Sequence, residues 1–200
     1  MKKSLFITLL CVTAFFTCHA QHFTHGLGIS VLHDESRFST NHPYIGLAYT
    51  PGITFSETRK FAFSVTAPFR AGYSSSYFYA DTNNIVISDD WQSVIVQLPL
   101  LFNFNYGAGS SQKARARVGF FGGAGYGVQM RYYHEKVTFG EDITTGSTTA
   151  FSTGAAFNAG IRLAVGNSYR RKNIEAGIGY FVGVTGEDHN IISFHCLYNF

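Results

Sequence analysis

The stretch WQSVIVQLPLLFNFNYG, residues 91–107, decides how this chain folds. Apolar side chains recur at every second position, through Val94, Val96, Leu98, Leu100, Phe102, Phe104 and Tyr106. Ser93, Ile95, Gln97, Leu101, Asn103 and Asn105 take the other phase. A period of two marks a β-strand, because successive side chains leave it on opposite faces. The run is far longer than the roughly five or six residues of a strand in a soluble sheet. It also exceeds the roughly ten residues that a tilted strand needs to cross a bilayer.

Seven further segments show the same alternation, giving eight in all: 22–32, 43–55, 60–73, 91–106, 115–128, 153–166, 173–186 and 190–200. In the fifth, Ala116, Val118, Phe120, Ala124, Tyr126 and Val128 oppose Arg115, Arg117, Gly119, Phe121, Gly123 and Gly125. In the seventh, Ile174, Ala176, Ile178, Tyr180, Val182 and Val184 oppose Asn173, Glu175, Gly177, Gly179 and Gly183. One face is apolar and uncharged; the other is small, polar or charged. No stretch beyond Gln21 has helical periodicity. The 20 Phe, 12 Tyr and 21 Gly against 14% charged residues also favour strands over helices.

A soluble sandwich would alternate in the same way with its apolar face inward. Three features point to the opposite orientation. The connections 33–42, 74–90 and 129–152 are long and polar, whereas 56–59, 107–114 and 167–172 are short, an asymmetry of external loops and periplasmic turns. The non-apolar face is rich in glycine, which suits the crowded inside of a small closed barrel better than a solvated surface. The chain ends IISFHCLYNF, with Ile192, Phe194, Cys196, Tyr198 and Phe200 on one face and an aromatic residue at the terminus. The expected fold is all-β: an eight-stranded antiparallel up-and-down transmembrane β-barrel.

The first twenty residues, MKKSLFITLLCVTAFFTCHA, have a basic start, an apolar stretch and a small-x-Ala ending. This is the layout of a secretory signal peptide, so residues 1–20 are expected to be cleaved and 21–200 to form the barrel. Lipid attachment at Cys11 or Cys18 fits less well, because Leu10 and Thr17 precede them. Cleavage leaves Cys196 as a single thiol with no internal disulfide. The formal charge of +3 falls by two, to +1, as Lys2 and Lys3 leave, which argues against a nucleic-acid surface.

Closure makes every strand central, so Pro51, Pro68 and Pro99, which cannot donate to a ladder, require bulges or substitute partners. Phe23, Phe55, Phe61, Tyr106 and Phe200 fall outward at the periplasmic rim, and Tyr73, Tyr126 and Phe157 at the external one. Such aromatic girdles mark membrane interfaces.

The motif QLPLLFNFNYGAGS (97–110), preceded by FSVTAPFRAGYS (63–74) and followed by the terminal YNF, resembles the PorT-like outer-membrane β-barrel proteins of Bacteroidetes. That group is similar in architecture to the small OmpX and OmpA-type barrels. The resemblance implies a location in the outer membrane of a Gram-negative bacterium. Tyr198 and Phe200 are then the signal read by the outer-membrane assembly machinery, and outer-membrane lipid is the surrounding partner.

No catalytic, cofactor or metal site is assigned. His22 and His25, three apart on a strand, face opposite ways and cannot share one ion without a bend. The GFFGGAGYG run (119–127) misses phosphate-loop spacing and no helix follows it. Ser74 to Ser76, His134, Glu135, Asp89 and Asp90 supply catalytic residue types without a recognisable spacing. Arg70, Arg115, Arg117, Arg162 and Glu175 are inward by phase and are expected to form an interior charge network. Such a network suits a filled interior, because eight strands enclose only enough space for side chains. Loop contacts are expected from Tyr77, Phe78, Tyr79, Tyr132 and Tyr133, with a protein or glycan partner. The role expected is structural or surface-interacting, without enzymatic activity. A narrow porin-like channel and a lipid-modifying enzyme are the alternatives.

Overall fold

The computed structural model describes residues 22–35, 43–82, 85–111, 114–139, 142–165, 172–185 and 190–200. The expected signal peptide lies outside them. Among the described residues the regular structure is entirely strand: β1 His22–Asp34, β2 Tyr44–Phe55, β3 Phe61–Thr66, β4 Phe69–Thr82, β5 Ile85–Gly107, β6 Val118–Phe139, β7 Asp142–Ala164, β8 Asn173–Thr185 and β9 Asn190–Asn199. β3 and β4 are two halves of one strand, since both lie between β2 and β5. Each strand pairs antiparallel with its neighbour in sequence, and β9 returns to β1. The described residues therefore close into an eight-stranded up-and-down ring. Closure gives each spanning strand a hydrogen-bonding neighbour on both sides, which hydrocarbon cannot supply.

The ring is steeply staggered. Stepping between opposed residues from Ile95 through Gly72, Gly46, Ser30, His195, Gly177, Gly160 and Phe121 returns to β5 at Asn105, well below the start. Such shear is what tilts strands in a closed barrel.

Side chains segregate as alternation requires. Phe102 and Leu163 are 52% and 46% exposed on the outer face, while Ile95 and Leu101 are buried within. Leu32, Tyr44, Ile95, Leu101, Phe181 and Ile191 form an internal apolar layer, with Trp91 packed against it. Gly72 makes room for this layer: a Cβ there would sit 2.9 Å from Tyr44 Cβ and 3.0 Å from Leu32 Cδ1. With its apolar band outward and polar groups inside, the barrel is a transmembrane one. Phe55, Phe61, Phe63, Phe102 and Phe104 make a contiguous outer cluster, with the Phe63 ring 5.6 Å from both Phe102 and Phe104.

Pro68 and Pro99 are accommodated by facing one another rather than by a bulge, while Pro51 lies opposite His25. Thr66 opposes Leu101 and Arg70 opposes Gln97, so the unchanged register sets Pro68 against Pro99. Ala67 N–H donates to Pro51 O at 3.0 Å, which turns residue 67 toward β2 and, by alternation, residue 68 toward β5. The missing donors of Pro68 and Pro99 thus fall on one seam, where the strand breaks into β3 and β4. The opposite side of β5 keeps an unbroken register with β6, from Ile87↔Phe139 to Gly107↔Gly119. The irregularity in pairing lies elsewhere, at Thr153/Gly154 between β7 and β8.

Two expected loops are largely ladder. Residues 74–82 pair with 85–93 as a hairpin, and 129–139 pair with 142–152. β5, β6 and β7 consequently run 23, 22 and 23 residues. Outside the membrane neither face has to be apolar, so the apolar rhythm stops while backbone pairing continues. At the other end, Gly107 and Gly109 turn the chain with positive φ of 78° and 69°.

Candidate functional sites: the filled interior and the projecting hairpins

Inward-facing residues supply two polar clusters separated by the apolar layer. In the lower one, nearest His22 and Phe200, Arg162 Nε donates to Glu175 Oε2 at 2.6 Å and Arg162 Nη1 to Asn105 Oδ1 at 2.7 Å. His195 Nε2 lies 3.4 Å from Glu175 Oε1, and Asn199 Nδ2 donates to Glu175 Oε2 at 3.1 Å. The Arg162 guanidinium also lies 4.6 Å from the centre of the Phe121 ring, a favourable cation–π distance. A cavity of about 140 Å³ sits beside this cluster, walled in part by Thr24, Thr54, Ser64, Asn105 and Asn173.

Above it, Arg70 is buried and donates from Nη1 to Gln97 Oε1 at 3.0 Å. At the upper mouth, Arg131 is ion-paired with Asp34, and both side chains are buried. Arg131 Nη1 also donates to Tyr133 Oη at 2.9 Å, and its guanidinium lies 5.9 Å from the Tyr44 ring centre. The Tyr44 and Ser93 hydroxyls share a 3.1 Å hydrogen bond. Paired with Asp34 and Glu175, Arg131 and Arg162 escape most of the cost of an isolated buried ion, whereas Arg70 meets the neutral amide oxygen of Gln97.

Arg70, Arg162 and Glu175 therefore point inward, but Arg115 and Arg117 do not join them. Both are exposed in the turn before β6, which begins at Val118. Phase fixes direction only within a ladder, and theirs lies outside one. The Arg131–Asp34 pair was missed although Arg131 shares the odd-numbered inward phase of Phe121, because residues 129–152 read as a loop. His22 turns inward to an ion pair with Glu57, whereas His25 turns outward, hydrogen-bonded to Tyr49 Oη at 2.7 Å. Among the catalytic residue types, Ser74 stands opposite Ser93, and His134 stands opposite Gln92 and Ser147.

The upper hairpins form an open four-stranded sheet, β4–β5–β6–β7, standing above the ring. Tyr77, Phe78 and Tyr79 are 69%, 59% and 55% exposed on β4. Tyr132 is also exposed, whereas Tyr133 is half-buried, its hydroxyl accepting from Arg131. β7 is paired with β6 from Asp142 to Ser152, yet its pairing with β8 starts at Thr153. Among the described residues no strand takes up this edge, DITTGSTTAFS, which holds neither Lys nor Pro, the residues that usually blunt such edges. At the lower rim Tyr198 and Phe200 are exposed and stack with ring centres 6.2 Å apart.

No protein-family model and no curated protein sequence matches this chain. Among solved structures, the chain is similar to the attachment invasion locus protein Ail of Yersinia pestis in complex with the heparin analogue sucrose octasulfate. The identity is 13%, covering 91% of this chain and 99% of that one, at a TM-score of 0.44. Neisserial surface protein A matches at 10% identity over 90% of this chain and 97% of that one, with a TM-score of 0.46. The outer membrane protein OprG from Pseudomonas aeruginosa matches at 14% identity over 91% and 97%, also with a TM-score of 0.46. The barrel assignment rests on the closed ladder and the outward apolar face of this chain.

Proposed function

We propose that this chain is an exported outer-membrane protein of the PorT-like group of Bacteroidetes, non-enzymatic, that acts by presenting its projecting sheet to a partner. Residues 1–20 serve as its signal peptide, and Tyr198 with Phe200 as its assembly signal. The carrying observation is the upper edge of β7, whose main-chain donors and acceptors along 142–152 are taken up by no strand among the described residues. An extended segment of another polypeptide adds to such an edge through backbone hydrogen bonds. The exposed Tyr77, Phe78 and Tyr79 provide rigid aromatic contacts nearby, suited equally to a protein or a glycan. A channel has less support, because the apolar layer and both charge clusters occupy the interior.

The test excises residues 134–147, which opposed His134 and Ser147 allow to be closed with a tight turn. The excised protein is expected to keep a barrel that runs faster unheated than boiled on a gel, while losing capture of envelope or surface partners. Undiminished capture would refute the reading.

A further inference from the structure

Charge is distributed unequally between the two ends of the barrel. In sequence, segments 56–60, 107–117 and 165–172 carry eight Lys or Arg against the single acid Glu57. Of these cations Arg59, Lys60, Arg115, Arg117 and Lys172 are described, and all are exposed. Glu57 is engaged by His22. Beyond the Arg131–Asp34 pair, the described residues of the opposite end include Glu35, Asp89, Asp90, Glu135 and Asp142 with Lys136. A rim so one-sided attracts an anionic surface.

The described backbone flanking these turns is held by hydrogen bonds. Gly107 N–H donates to Lys60 O at 2.8 Å, tying the first turn to the second. Ala108 N–H donates to Val118 O at 3.0 Å, and Val165 N–H to Lys172 O at 2.9 Å. Each group of cations adjoins the lipid-facing band: Lys60 precedes Phe61, Arg117 precedes Val118, and Lys172 lies two residues before Ile174. At about 3.3 Å per residue, these side chains stand within reach of the headgroup layer that flanks the roughly 30 Å hydrocarbon core.

We infer that this basic rim is a binding surface for the phosphates of anionic phospholipid headgroups in the leaflet at the end carrying His22 and Phe200. Phe61, Tyr106 and Phe200 anchor the depth, and the five cations supply the charge, each a strong phosphate donor. The inference rests on the barrel spanning a membrane. It does not depend on what the opposite hairpins bind.

The experiment uses the full folded chain in detergent, offered equal amounts of phosphatidylglycerol and phosphatidylcholine, with retained lipid read by native mass spectrometry. Phosphatidylglycerol is expected to be retained at least about fivefold over phosphatidylcholine, the ratio for one charge contact at such a surface. Replacing Arg59, Lys60, Arg115, Arg117 and Lys172 with Gln is expected to abolish the preference while the protein still migrates as a folded barrel. Should that variant not fold, Arg115→Gln with Arg117→Gln, both in an exposed turn outside the ladder, is expected to reduce it. Equal retention of the two lipids, or a preference untouched by neutralisation, overturns the inference. So does charge-dependent sedimentation with isolated peptidoglycan in the absence of any lipid preference, which would assign the rim to an anionic polymer.

Discussion

Arg131 and Asp34 form an ion pair across the upper mouth of the barrel, from β6 to β1, with both side chains out of contact with solvent. β1 and β6 are not neighbours in the ring, so the pair is a strut across its interior. Replacing only Arg131 or only Asp34 with Ala leaves a buried charge without that partner and is expected to cost about 3–5 kcal/mol. Replacing both with apolar residues of similar volume is expected to restore most of the stability. Urea unfolding of the refolded protein in detergent, run as a double-mutant cycle, measures both outcomes.

Gly72 and Gly146 are expected to respond oppositely to the same substitution. A Cβ on Gly72 would crowd Tyr44 and Leu32, whereas one on Gly146 meets nothing within 4 Å. Gly72→Val is therefore expected to destabilise by about 1–3 kcal/mol through overpacking. Gly146→Val is expected to be neutral or to stabilise by up to about 1 kcal/mol, because it removes backbone freedom from a strand. The midpoints of thermal loss of the fast-migrating gel band rank the two.

Assembly and stability are expected to separate at the C-terminus. The main chain of Phe200 is already tied in, its N–H donating to His25 O at 2.9 Å, while its ring lies exposed beside Tyr198. Phe200→Ala is expected to refold in detergent nearly as well as the native chain but to accumulate less in the outer membrane of cells. Equal cellular yields of folded protein would show that the ring is not an assembly signal.

Conductance is expected to be absent. The apolar layer of Leu32, Tyr44, Ile95, Leu101, Phe181 and Ile191 crosses the interior between the two charge clusters. Planar bilayer recordings on the native chain should show no sustained open level. Small side chains at Tyr44 and Phe181 together are expected to introduce one, and steady conductance by the native protein would contradict the filled interior.

How far the sequence could be read follows from which features are local. The phase of WQSVIVQLPLLFNFNYG placed Phe102 outside and Asn103 inside, because direction alternates residue by residue along any strand. The same rule placed Arg70, Arg162 and Glu175 inside, and it would have found Arg131 had the strand been carried past Val128. It failed for Arg115 and Arg117, which precede the ladder. It could not resolve Pro68 and Pro99, since their confrontation depends on the register of two strands separated by a hairpin.

The sequence by itself therefore determined the all-β class, the face each strand shows to lipid and the rhythm of its connections, all consequences of a two-residue period and of turn chemistry. Tertiary structure alone decided which residues meet. Hairpin register sets Glu175 opposite Arg162, with His195 beside it on the next strand. Closing the ring with a stagger sets Asp34 against Arg131 across the interior. Among the described residues it also leaves the upper edge of β7 without a strand partner. The crossing from β1 to β6 depends on the shear of the closed sheet, a property of all its strands together that no single segment encodes.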